Sequence, residues 1–161
     1  MRKEINVKQV RADAEEIFRL GGFYCSEAII SSVRKNIDPD MPIEMVSTGS
    51  GFPIGVGRSR CMCGAISGAL VCLGYFFGRT QPSGKSDPGI TKCMELSNEL
   101  HEAFCDNHKV ACCHVHIKGM DVLNGEHRPQ CIAYTGEMAQ KAAEIIAREF
   151  NLKHVYGKVK E

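Results

Sequence analysis

Apolar positions along this chain recur with the period of a helix, and no stretch alternates convincingly as a strand. Between residues 6 and 20, Val7, Val10, Ala14, Ile17 and Phe18 are separated by lysine, arginine and glutamate, which predicts an amphipathic helix with one buried face. Gly21-Gly22 ends it, as a left-handed cap requires. A second helix is predicted from about Tyr24 to Lys35, with Cys25 in its first turn and Cys25, Ala28, Ile29 and Val33 inward. Residues 36–42 hold two prolines and read as a turn, followed by a short helical piece around Ile43–Ser47. Thr80–Gly89 is a surface loop. Its Asp87-Pro88 supplies an N-cap and then proline in the first helical position, so a helix runs to about Asn107. Ile90, Cys93, Met94, Ser97, His101 and Phe104 share one face of it. Residues 108–130 read as irregular. A last helix, from near Cys131 to Phe150, has Met138, Ala142, Ile145 and Ile146 inside, with Glu137–Lys141 and Glu144–Arg148 as outer pairs four apart.

The stretch Cys61–Gly78 differs from all of these because it carries no charge. On a helical wheel Cys63, Ile66, Leu70, Leu73 and Phe77 form one stripe, and Cys61, Gly64, Ala65, Gly68, Ala69 and Cys72 form a small-residue stripe opposite. A helix apolar on every side is the hub of a bundle or a membrane span. Eighteen uncharged residues lie at the short end for a span, and the one-sided apolar faces elsewhere need a core to bury them. The expectation is no membrane span, and an all-α, single-domain helical bundle over 1–161, with about five main helices around a buried central helix at about 61–78. The small stripe suits either close packing inside that bundle or, if exposed, a homodimer.

A formal charge of +1, spread along the chain, gives no basic footprint for nucleic acid or an anionic membrane. The N-terminal residues lack the apolar core of a secretory signal, so the expected location is cytoplasmic. Nine cysteines in a reducing compartment point to metal binding or redox chemistry rather than to a disulfide framework. The glycine-rich Thr48–Arg60 does not fit a dinucleotide loop: Gly49, Gly51 and Gly55 have the wrong spacing, and Pro53 interrupts them. It reads as a loop whose backbone passes close to a neighbour.

Four cysteines stand at element boundaries: Cys25, Cys63, Cys113 and Cys131. Three of these are predicted at helix N-termini, where the dipole and free N–H groups favour thiolate. Four thiolates around one centre suit an Fe–S cluster or tetrahedral zinc. No C-x-x-C occurs, which excludes a zinc ribbon and a ferredoxin run, and no C-x-x-C-H occurs, which excludes haem attachment. No hydrolase constellation is recognisable.

Tyr24-Cys25-Ser26-Glu27-Ala28, the run Cys63-Gly64-Ala65-Ile66-Ser67-Gly68, Phe104 with Cys113 nine residues on, and Cys131 before an alanine-rich helix together resemble the redox-active C_GCAxxG_C_C family over roughly residues 22–150. That family is similar to the cluster-bearing part of split-Soret cytochromes. The resemblance implies an all-α fold and an Fe–S centre, of unspecified type, on Cys25, Cys63, Cys113 and Cys131, serving electron transfer or redox sensing with an unidentified redox partner protein. Cys61 and Cys112 are extra, each beside a predicted ligand, and are candidate substitutes or resolving thiols. Cys72, Cys93 and Cys105 read as packing residues. His101 reads as a half-buried helix residue, and His114 and His116 as a solvated loop pair, with an imidazole ligand or proton relay as the alternative. Two other readings stay open: a zinc-stabilised structural module on the same four thiols, and a metal-free thiol–disulfide protein using Cys61/Cys63 or Cys112/Cys113.

Overall fold

The computed structural model describes residues 1–157 and 159. It is all-α: α1 (Val7–Leu20), α2 (Cys25–Asn36), α3 (Gly64–Phe77), α4 (Pro88–His108), α5 (Cys113–His116) and α6 (Arg128–Glu149), with two 3-10 turns at Ile43–Met45 and Ser47–Gly49. Local chemistry sets the ends. The Asn6 side chain accepts from the Lys8 and Gln9 N–H groups to start α1, and Gly21 stops it at φ 78°. The Asp87 carboxylate accepts from Gly89 and Ile90 ahead of the first-turn proline of α4.

The central helix is the hub the sequence predicts. It packs against α2, α4 and α6, while α1 packs along α6 and α2. Ile29, Ile30 and Val33 of α2, Ile66 and Leu73 of α3, Leu100 and Phe104 of α4, and Met138, Ile145 and Ile146 of α6 are fully buried together. Each such side chain contributes roughly 1.5–3 kcal/mol of burial free energy. The small stripe of α3 is covered by α2: a β-carbon on Gly68 would lie 2.6 Å from the Ser26 Cα. Burial therefore removes that stripe as a surface for a second copy. Among the described residues no helix is long and apolar enough to cross a membrane.

Four details depart from the sequence reading. The helix begins at Gly64, so Cys61 is not on it but in an exposed loop. The inward face of α4 is Cys93, Leu96, Leu100 and Phe104, and Met94 is 66% exposed. A two-stranded parallel pairing exists, Glu4–Ile5 (β1) beside Lys153–His154 (β2), closing the ends of the packed α1 and α6. On α6 the expected pairs four apart give way to pairs with α4, beside an Arg148–Glu149 contact within the helix. Glu99 of α4 takes both Lys141, at 2.9 Å, and Arg148, at 2.7 Å, while Glu137 meets His108 at 2.7 Å.

Candidate functional site

Four helix starts converge at one end of the bundle. Cys25 is the first residue of α2, Cys63 is the N-cap of α3, Cys113 is the first residue of α5, and Cys131 lies in the first turn of α6. All four line a single cavity, together with Phe18, Ile54, Ile117 and His127. Two of these starts were not legible in the sequence. α5 falls within a stretch expected to be irregular, and α6 opens three residues before Cys131 because Pro129 occupies a first-turn position that tolerates proline.

Backbone contacts hold these starts in place. The Ser26 hydroxyl donates to the Gly49 carbonyl at 2.7 Å, tying α2 to the glycine-rich loop. The Cys63 N–H donates to the Ala111 carbonyl at 2.7 Å, and the His114 N–H donates to the Arg60 carbonyl at 2.8 Å. The segment before α3 and the start of α5 are thus stitched side by side, which brings Cys63 and Cys113 to the same cavity. The loop makes its approach through left-handed backbone: Ile54, Gly55, Val56, Gly57 and Arg58 have φ between 44° and 72°, and Arg60 has φ 61°. L-residues are strained there by roughly 1–2 kcal/mol each, and strain of this kind concentrates at functional sites.

Burial outweighs the helix termini in setting the thiols. It pushes Cys25 and Cys131 up to about 12, with the Cys63 sulfur as the next cause in each case. Cys113 rises to about 11 through burial, then Cys63 and Cys112, and Arg60 opposes the rise. Cys63 is also raised by burial, against the pull of the Ala65 and Ile66 N–H groups. Burial thus opposes the thiolate form that the helix N-termini favour. The thiols' mutual electrostatic influence reflects how close they stand.

The two candidate substitutes are placed differently. Cys61 is exposed and Cys112 donates to the Arg60 carbonyl at 3.7 Å; neither lines the cavity. Cys72 and Cys93 are buried in the bundle, and Cys105 contacts His101 Nε2 at 3.7 Å. All nine cysteines are free thiols. His114 is exposed as expected, although it lies on α5 rather than in a loop. His116 is not a solvated partner to it. Its Nε2–H donates to the Val110 carbonyl at 2.7 Å, so its Nδ1 accepts from the Tyr134 hydroxyl at 3.3 Å. Burial, then Cys63 and Cys131, raise Tyr134, which places this pair beside the cavity. His127 was missed altogether; it carries no motif, and only its position one turn before Cys131 could have suggested it.

The chain's residues 23–145, about three quarters of its length, match the family described as "Putative redox-active protein (C_GCAxxG_C_C)". The chain belongs to that family. No curated protein and no solved structure matches it. A β-carbon on residue 64 would stand 2.6 Å from the Cys25 sulfur, so positions 63 and 64 both border the same cavity.

A thiolate-held group suits this donor set, which is four cysteines, N–H groups aimed at Cys63, and a glycine where a side chain would fill the space beside Cys25. Among the described residues, however, no three His, Cys, Asp or Glu side chains stand close enough to share one metal ion. Four sulfurs at about 2.3 Å from zinc lie only about 3.8 Å apart.

Proposed function

We propose that this chain is a redox protein in which Cys25, Cys63, Cys113 and Cys131 hold an Fe–S cluster used for electron transfer or redox sensing with a partner protein. The observation that carries the reading is the lining of one cavity by all four of these thiols, drawn from four separate helix starts. Four cysteine sulfurs are the donor set that an Fe–S cluster takes. When bound, such a cluster supplies one-electron chemistry. The chain's own residues do the rest. Ala65 and Ile66 N–H groups stabilise charge on the Cys63 sulfur, Arg60 acts on Cys113, and the walls of Phe18, Ile54 and Ile117 limit water. Nine free thiols suit a reducing compartment, the cytoplasm.

Anaerobic reconstitution with iron and sulfide, followed by a visible spectrum and metal analysis, tests the reading. Charge-transfer absorbance with bound iron supports it. Protein that stays colourless overturns it, and stoichiometric zinc whose removal unfolds the chain would replace it with the zinc module.

A further inference from the structure

The cysteine cavity continues into a wider surface groove, because Tyr24, Ile54, His127 and Arg128 line both. Arginine dominates the charge of that groove. Arg58 and Arg60 line it or border it exposed, and among the described residues neither guanidinium has an ion-pair partner. Arg128 is committed elsewhere: it donates to the Phe18 and Arg19 carbonyls at 3.3 and 3.2 Å and lies over the Phe18 ring. The carboxylate in the groove, Asp121, is occupied by its own turn, accepting from the Leu123 and Asn124 N–H groups and the Asn124 side chain. Both free arginines project from left-handed backbone, φ 72° and 61°, in the loop that also delivers Ile54 to the cavity. A cleft in which guanidinium groups outnumber carboxylates, here Arg58, Arg60 and Arg128 against Asp121, concentrates anions.

The second observation lies at the junction of cavity and groove. Two buried side-chain polar atoms lack a hydrogen-bond partner among the described residues: Asp38 Oδ1 and His127 Nδ1. Asp38 Oδ1 is answered by an ion pair, the amino group of Met1 at 2.9 Å. His127 Nδ1 has nothing. A buried polar atom left alone is rare enough to indicate an unseen partner.

We propose that this groove binds a small oxyanion or thio-anion, with Arg58 and Arg60 on its charge and His127 Nδ1–H on its inner atom, so that the bound anion lies against the four thiols. Guanidinium forks match such anions in shape as well as charge. The site then has two compartments, thiols inside and an anion position at the mouth, which is the layout of a centre that meets a small substrate rather than only a protein surface. The inference does not depend on what the thiols hold.

The test is an NMR titration of the full-length, reduced, 15N-labelled chain with inorganic phosphate and with thiosulfate at constant ionic strength, following the His127 ring and the arginine Nε–H signals. Saturable shifts at His127, Arg58 and Arg60 are expected. Arg58→Ala/Arg60→Ala should weaken binding about tenfold or more, and His127→Gln several-fold. Arg79→Ala, an exposed arginine engaged with Ser83 far along the chain, should change nothing. Shifts that stay linear, or equal losses in Arg79→Ala, overturn the proposal. His127→Gln leaves the arginine loop intact, so the test stays decisive if the loop variant misfolds. Because no iron is present, a negative titration leaves the cluster reading standing, and a failed reconstitution leaves this one standing.

Discussion

The Cys25 sulfur lies 2.6 Å from the point where a β-carbon on residue 64 would stand, and residue 64 is glycine. Gly64→Ala should therefore push the start of α2 away from α3 and disturb the centre before it disturbs the fold, since the far end of a side chain has room to move. Gly68→Ala meets backbone instead, the Ser26 Cα at 2.6 Å and its carbonyl at 2.7 Å. It should cost about 1–3 kcal/mol in urea unfolding, as overpacked cores do.

Cys63→Ser should abolish the centre, and Cys61→Ser should leave it intact. Cys72→Ser should also retain it while lowering stability by about 1–3 kcal/mol, because a hydroxyl replaces a fully buried sulfur. Iron content and absorbance separate these outcomes. Loss of the centre in Cys61→Ser would show that the exposed loop swings inward to supply a ligand.

Each cavity thiol is harder to ionise in the fold than in the unfolded chain, whose value is about 9. Their protonated form therefore adds stability that is complete below pH 9 and lost as pH rises towards about 12. The metal-free chain should lose urea stability over that window, and iodoacetamide at pH 8 should label exposed Cys61 well before Cys25. Early labelling of Cys25 would contradict its burial.

Glu99 shows the opposite sign. Arg148 and then Lys141 hold its carboxyl down to about 2, so its contribution is present above about 4.5 and fades as pH falls towards 2. Glu99→Gln should cost no more than about 1 kcal/mol at pH 7, given the partial exposure of the pairs, and nothing near pH 2. Thermal unfolding across that range checks it.

The left-handed turn gives a prediction of unusual direction. Val56 is branched, solvent-facing and held at φ 44°. Val56→Gly should stabilise the chain by about 1 kcal/mol, since relief of strain outweighs the little packing lost. A comparable loss in urea unfolding would mean that the side chain contributes more than its exposure suggests.

The helices were legible because their signals are local. Asp87-Pro88 and Gly21 act within one turn, and the apolar period needs only neighbours along the chain. The inward face of α4 misled because Met94 and Leu96 are both apolar and only the packed partners decide between them. The strand pairing of Glu4–Ile5 with Lys153–His154 depends on α1 and α6 lying together, which no local pattern encodes. At the site, Cys25, Cys63, Cys113 and Cys131 stood out among nine cysteines by their element boundaries and by the family resemblance, and the fold brings all four to one cavity. His127 and the two arginines became visible only once the fold brought residues 54–60 beside residues 120–128.

The convergence of four helix starts also governs how a centre could be installed. Its donors stand 38, 50 and 18 positions apart, and the fourth is Cys131. A group held by all four would tie the unfolded chain into three closed loops, restricting it as a set of crosslinks does. It could not be completed on a ribosome-bound fragment ending before α6. Insertion of such a group would thus wait for Cys131 and act on a bundle that has already gathered its thiols.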